Sequence, residues 1–221
     1  MLRELVASAK CVLFDFDGPV ARLFAGYPAA DVAGVLKRQL IDWGLKAPDA
    51  PDVDDPLRVL RDSMGLGRDR ELEELLTKHE LKAVKSAIPT AYADKLVRLL
   101  SAKGSSVAVT TNNSPLVAER YLDGRGLREC FGSHIHGRTG DPGLMKPDPS
   151  CLIRALRSTE TTPAECLMIG DSADDFIAAH KVGVTFLGYG RDAEKMANLY
   201  DAGASHVVSS LEDVCRAVSD G

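Results

Sequence analysis

The segment Cys11-Val12-Leu13-Phe14-Asp15-Phe16-Asp17-Gly18 runs from apolar residues straight onto two carboxylates two positions apart, then a glycine. On an extended chain, alternation sends Asp15 and Asp17 to one side and Phe14 and Phe16 to the other. Carboxylates at the end of a buried strand are costly unless a metal ion or a proton transfer employs them. A strand end closed by an Asp-Gly turn accounts for one of these acids but not for the pair.

Three later clusters also carry groups suited to chemistry: Val109-Thr110-Thr111-Asn112, Lys146-Pro147-Asp148-Pro149, and Gly170-Asp171-Ser172-Ala173-Asp174-Asp175. Each has an ordinary structural reading. Thr111 to Ser114 alone is a polar turn, and Lys146 alone is a surface lysine. The Ser172-to-Asp175 spacing is a capping box for a helix over Asp174–Lys181, a role compatible with ligation. Asp174 reads as a solvated first-turn acid favoured by the helix dipole. The weight of each cluster comes from its company.

The elements that must position these groups follow from the same sequence. Cys11–Phe16, Ser106–Thr110, Cys166–Ile169 and Val184–Leu187 are β-like runs ending in small or acidic residues. Weaker runs lie at His134–His136 and His206–Val208. Ser114-Pro115 predicts an N-cap and first-turn proline before a helix over Leu116–Leu122, and Asp148-Pro149 the same before Ser150–Arg157. An amphipathic helix over Tyr92–Lys103 stops at Gly104. Strands alternating with helices predict a parallel α/β sheet covered on both faces. Ligands would then bind at the carboxyl ends of the strands, where Asp15, Thr111 and Asp171 fall. From Ala21 to Ile88 no strand pattern is visible. Val32, Val35, Leu36, Gln39, Leu40 and Trp43, then Leu57 and Leu60, then Leu72, Leu75 and Leu76, then Leu81, Val84 and Ile88 recur at helical spacing, with only Gln39 polar. Ala47–Pro56, rich in proline and aspartate, reads as a loop.

Composition excludes several classes. At 221 residues, 45% hydrophobic and a net charge of −5, the chain is an ordinary globular one with no global attraction to nucleic acid or anionic membrane. Its first residues lack the apolar core of a secretory signal, and no segment approaches the ~20 apolar residues that span a bilayer. Five cysteines without a CxxC pair read as reduced core thiols of a cytoplasmic protein. His134 and His136 share a strand face but lack a third ligand nearby, and read as polar edge residues.

In order and spacing, the four clusters resemble the four motifs of the haloacid dehalogenase-like hydrolase superfamily. Gly188-Tyr189-Gly190 looks like its phosphoglycolate phosphatase-like branch. The resemblance implies a Rossmann-like parallel sheet core at 1–20 and 89–221, with an inserted all-helical cap of the subfamily I type at 21–88. It implies a Mg²⁺-dependent phosphatase acting on a small phosphorylated metabolite, as a monomer or homodimer. In that scheme Asp15 is the nucleophile that forms an aspartyl-phosphate, and Asp17 is the general acid and base. Thr111 and the Asn112 N–H hold a phosphoryl oxygen, and Lys146 offsets the crowded negative charge. Mg²⁺ is held by the Asp15 carboxylate, the Asp17 main-chain carbonyl and Asp171, with Asp175 completing the acidic shell.

The resemblance has departures. Pro19 stands where the family usually has threonine, and Ala21-Arg22 where an acid often follows. Arg22, Phe24 and Tyr27 follow the catalytic loop and could line its entrance; Arg22 either grips a second anionic group or faces solvent. Arg58 and Arg61 share a helix face that reads as solvated. Alternatives within the fold are a phosphosugar mutase of the β-phosphoglucomutase type and a non-catalytic binding protein. Metal-free dehalogenation fits poorly with Asp17, Asp171 and Asp175, and a phosphonatase usually lacks the acid at Asp17.

Overall fold

The computed structural model describes residues 2–48 and 54–220. In chain order the elements are α1 (Leu2–Ala7), β1 (Cys11–Phe14), β2 (Ala21–Arg22), α2 (Ala29–Asp42), α3 (Pro56–Asp62), α4 (Asp69–Val84), β3 (Ile88–Pro89), α5 (Ala93–Ala102), β4 (Ser106–Thr110), α6 (Pro115–Arg125), α7 (Arg128–Phe131), β5 (Ile135–His136), α8 (Ser150–Ser158), β6 (Cys166–Gly170), α9 (Ala173–Val182), β7 (Thr185–Tyr189), α10 (Ala193–Asp201), β8 (Val207–Val208) and α11 (Leu211–Ser219). Six strands form one parallel sheet in the order β5-β4-β1-β6-β7-β8. The chain builds outward from β1 to β4 and β5, then crosses to β6 on the other side. The strand order therefore reverses beside β1, where open α/β sheets bind ligands.

Alternation along the strands divides the core into two layers. Val12, Phe14, Val107, Val109, Leu167 and Ile169 pack under α1, α5, α6 and α11. Cys11, Leu13, Ala108, Cys166 and Met168 pack under α8, α9 and α10. Phe16 extends the first layer, its ring edge-on to Tyr121 at 5.3 Å. Strands buried on both faces must be apolar throughout, which is why these runs stand out in the sequence. All five cysteines are free thiols.

The interval between β1 and α5 is helical, as its periodicity predicts, except that Ile88 falls past the end of α4 and lies in β3. Ala21 and Arg22 pair antiparallel with Pro89 and Ile88 across the base of the interval. Two-residue strands leave no period to read. Helices α2, α3 and α4 share their own cluster of Leu36, Leu40, Leu60, Leu72 and Leu76. Of the loop Ala47–Pro56, residues 49–53 lie outside the described residues. Helix α1 had no sequence signal beyond Leu2, Leu5 and Val6. The α8 cap sits one residue later than the Asp148-Pro149 pattern implies, with Pro149 at the N-cap and Asp148 accepting from the Ser150 N–H at 2.9 Å. Edge strand β5 carries His136, which together with His134 hydrogen-bonds the Ser158 hydroxyl, at 2.7 and 3.0 Å. Among the described residues, no helix is long and apolar enough to cross a membrane.

Helix α4 buries Leu72, Leu76 and, one turn further along the same stripe, Glu80. The Glu80 carboxylate accepts from both terminal nitrogens of Arg138 at 3.0 and 3.1 Å, from Asn113 Nδ2 at 2.9 Å and from the Ser114 N–H at 3.3 Å. Arg138 also donates to the Asn112 carbonyl at 2.7 Å and to Glu73 at 2.7 Å. Both side chains of the Glu80–Arg138 pair are wholly inaccessible. The pair ties α4 to the loop that follows β4. Removing Glu80 leaves the buried Arg138 with Glu73 as its remaining carboxylate and Asn113 without its acceptor, so Glu80→Ala is expected to cost about 3 kcal/mol in urea unfolding. Arg58→Ala, which breaks an exposed pair with Asp62, should leave the midpoint within error.

Candidate active site

Asp15 follows β1 directly, and its N–H still donates to the Ile169 carbonyl at 2.9 Å. The ladder between β1 and β6 thus holds the Asp15 backbone one residue past the strand. Beyond it the chain turns sharply, with the Gly18 N–H bonded to the Ala21 carbonyl at 2.7 Å and the Ala21 N–H to Phe16 at 3.0 Å. Pro19 lies buried between these bonds and interrupts neither. Asp17 Oδ1 accepts from the Leu23 N–H at 2.9 Å, so the turn itself aims the second carboxylate. Gly18 is required by its neighbour. Its φ is +139°, and a Cβ there would lie 2.4 Å from Asp171 Cγ.

Lys146 closes the site from below. Its ammonium donates to Asp15 Oδ1 at 2.7 Å, to Asp175 Oδ1 at 2.5 Å and to the Thr110 carbonyl at 2.8 Å. The Asn112 side chain clamps the Lys146 backbone at both ends, accepting from its N–H at 2.7 Å and donating to its carbonyl at 3.1 Å. Burial pulls the ammonium down, but the carboxylates of Asp15 and Asp175 outweigh it and hold Lys146 well above the ordinary lysine range. Asp175 is the N3 residue of a capping box at the start of α9; its Oδ2 accepts from the N–H and the hydroxyl of Ser172. One carboxylate thus serves both as the cap of α9 and as a partner of Lys146.

Burial raises Asp15 and Asp17. Asp15 is pushed up to about 8 by desolvation and by Asp175 and Asp171, against the pull of Lys146. Asp17 is pushed up to about 7 by desolvation and Asp171, against the Leu23 N–H and Lys195. Thr111, just past β4, donates its hydroxyl to Asn113 Oδ1 at 3.1 Å, whereas the Thr110 hydroxyl turns into the sheet toward Met168. Asp15, Asp17, Thr111, Asn112, Lys146, Asp171 and Asp175 line a single cavity of about 530 Å³.

Several residues at the site had no motif to announce them. Lys195, on α10, donates to Asp171 Oδ2 at 2.8 Å. Arg61, which reads as solvated, donates across to the Lys146 carbonyl at 3.1 Å. Asp174, which also reads as solvated, is half-buried and lines the cavity. Only Glu80 left a trace in the sequence, as an acid on the apolar stripe of Leu72 and Leu76.

Asp15, Asp171 and Asp175 each offer an oxygen within 4.8 Å of the others, an all-oxygen set suited to a hard cation. Asp15 Oδ2 and Asp171 Oδ1 accept no hydrogen bond among the described residues, while both Asp175 oxygens are engaged. Asp15 and Asp175 pair with the Lys146 ammonium and Asp171 with that of Lys195, so two ammonium groups serve three of the carboxyl groups.

The Gly18–Asp171 contact can be measured directly. Gly18→Ala is expected to destabilise the protein by about 2 kcal/mol through overpacking and an unfavourable φ. In an Asp171→Ala background the cost should fall by about half, because the overpacking is relieved while the φ strain remains. Thermal unfolding of the four proteins gives the coupling.

Comparison with known proteins agrees with this geometry. The haloacid dehalogenase-like hydrolase family model matches residues 9–183. The chain is 30% identical over 208 residues to the phosphoglycolate phosphatase of Colwellia psychrerythraea, covering 83% of this chain and 88% of that one. It is 29% identical over 211 residues to that of Rhodospirillum rubrum, covering 86% and 84%. The crystal structure of a predicted phosphatase from Clostridium acetobutylicum superposes with a TM-score of 0.68 at 20% identity, covering 96% of this chain and 98% of that one. The chain belongs to the haloacid dehalogenase-like hydrolase family and is a hydrolase of its phosphatase kind, similar to the phosphoglycolate phosphatase branch.

Proposed function

We propose that the protein is a Mg²⁺-dependent phosphatase that hydrolyses a small phosphorylated metabolite through an aspartyl-phosphate on Asp15. The observation that carries the reading is the Lys146 ammonium bonded to Asp15 at the mouth of β1, beside Asp17 and the free oxygen of Asp171. Asp15 and Asp171 would hold Mg²⁺, with the Asp17 carbonyl, while Asp175 orients Lys146 and the α9 terminus. The metal would supply charge neutralisation to a phosphoryl group that the acids otherwise repel. Residues 21–88 act as a helical cap over the cavity and exclude water from it.

In this scheme an Asp15 oxygen attacks phosphorus and the ester P–O bond breaks. Asp17, poised near neutrality, gives its proton to the leaving alcohol oxygen. The resulting Asp17 carboxylate then takes a proton from water, whose oxygen attacks the phosphoryl group and frees Asp15. Lys146 neutralises charge on Asp15 and on the phosphoryl oxygens. The Thr111 hydroxyl turns from Asn113 to a phosphoryl oxygen, and the Asn112 N–H meets the same anion. Phosphoglycolate is the first substrate to try, because relatives bear that name over most of the chain.

Asp15→Asn is expected to lower phosphate release from an aryl phosphate by about 1,000-fold or more while circular dichroism stays unchanged. Chelation of Mg²⁺ should abolish release and its return restore it. Wild-type turnover in that variant or in chelated enzyme sinks the mechanism. Inorganic phosphate as product, rather than an isomerised sugar phosphate, separates hydrolysis from mutase chemistry.

The raised carboxyls also give the metal-free protein a pH signature. Asp15 and Asp17 hold protons in the folded state, up to about 8 and about 7, that the unfolded chain releases near pH 4. Their contribution to stability is fully present below pH 4 and is lost as pH rises through 7 to 8. Because the protons compete with the cation, the rise in melting temperature on adding Mg²⁺ should be larger at pH 8.5 than at pH 6. An equal or smaller rise at the higher pH counts against metal binding at these acids.

A further inference from the structure

A second cavity of about 550 Å³ adjoins the first and shares Asp17, Asp171, Phe24 and Lys195 with it. Its character is different. Arg22, Arg191 and Lys195 converge on it from three separate elements: β2, the segment after β7, and α10. The two carboxylates in its wall are already held, Asp171 by Lys195 and Asp17 by the Leu23 N–H. Arg22 has no hydrogen-bond or ion-pair partner among the described residues. The carboxylate paired with Arg191 is that of its neighbour Asp192, at 3.2 Å in a half-exposed pair.

The position of Arg22 is fixed rather than incidental. Its strand β2 pairs Arg22 with Ile88, and the next residue, Leu23, donates to the carboxylate of Asp17. Arg22 therefore stands one residue before the amide that holds Asp17, the group assigned as general acid. A planar guanidinium without a partner, facing a concave surface beside a phosphate site, matches the paired oxygens of a carboxylate or phosphate. A positive flank also favours approach of an anion to a floor of four carboxylates.

We propose that Arg22 and Arg191, with Lys195 beside them, form a subsite for a second anionic group of the substrate, a carboxylate or a second phosphate, while its phosphoryl group sits at Asp15. This assignment rests on the phosphatase reading. It makes the substrate a phosphate monoester with a second anionic group.

The test compares phosphoglycolate, propane-1,3-diol bisphosphate and ethyl phosphate, the last matched in size but without the second charge, with Mg²⁺ and a phosphate-release assay. Wild type is expected to prefer one doubly anionic substrate over ethyl phosphate by about 100-fold in kcat/KM. Arg22→Gln and Arg191→Gln should each lower that preference by about tenfold, chiefly through KM, and Arg22→Lys should retain more of it than Arg22→Gln. Preference for phosphoglycolate assigns the anion as a carboxylate, and preference for the bisphosphate as a phosphate. Release from all three substrates with the same ratios in wild type and both glutamine variants overturns the subsite and leaves the phosphatase intact. No release from any phosphate ester by the wild type overturns the phosphatase reading itself.

Discussion

The site depends on one buried ammonium. Lys146 lies beneath Asp15 and Asp175, with the Thr110 carbonyl as its third acceptor, and solvent has almost no access to it. Without it, carboxylates from the ends of β1 and β6 would face one another across a few ångströms in a medium that screens poorly. Its partners explain why otherwise unrelated segments meet. The loop carrying Lys146 is clamped by the Asn112 side chain after β4, Asp175 caps α9 after β6, and Asp15 continues the ladder of β1. Three strand ends are thereby drawn onto one cation.

The frame beneath this cluster is rigid for a simple reason. A parallel sheet buried on both faces has no tolerance for register error, since a one-residue slip exchanges Val12 and Phe14 with Cys11 and Leu13 between layers of different shape. Register sets the height of Asp15 relative to Thr111 and Asp171, and close packing sets their lateral distance. At Gly18 the absence of a side chain lets the turn after β1 lie against Asp171, a contact any Cβ would obstruct.

A second buried pair connects the helical interval to the same machinery. Glu80 on α4 holds Arg138 and Asn113, and Asn113 in turn is bonded to the Thr111 hydroxyl. The position of α4 is thus coupled, through two hydrogen bonds, to the orientation of the hydroxyl assigned to the phosphoryl group. The neck formed by β2 and β3 works from the other side, fixing Arg22 and the Leu23 amide beside Asp17. The interval between β1 and α5 therefore touches both walls of the cavity.

Much of this was legible in the sequence, and the remainder was not, for reasons particular to each residue. The runs at Cys11, Ser106 and Cys166 announce buried strands because both faces must be apolar, and the acids, threonine and lysine at their ends mark where a parallel sheet presents its ligands. The order of those motifs also carried the family. Lys195, Arg191 and Arg138, by contrast, fall in no motif, and Arg61 reads as solvated. Charged side chains acquire a role only from the partner that folding brings near, and no local period records a partner distant in sequence. The pairing of β2 with β3 is invisible for a related reason, since two residues cannot display alternation. The sequence alone determined the sheet, its order of motifs and the residue types available for phosphoryl chemistry. Only the tertiary structure decided which cations stand beside which carboxylates, because that depends on distances across strand ends rather than along the chain.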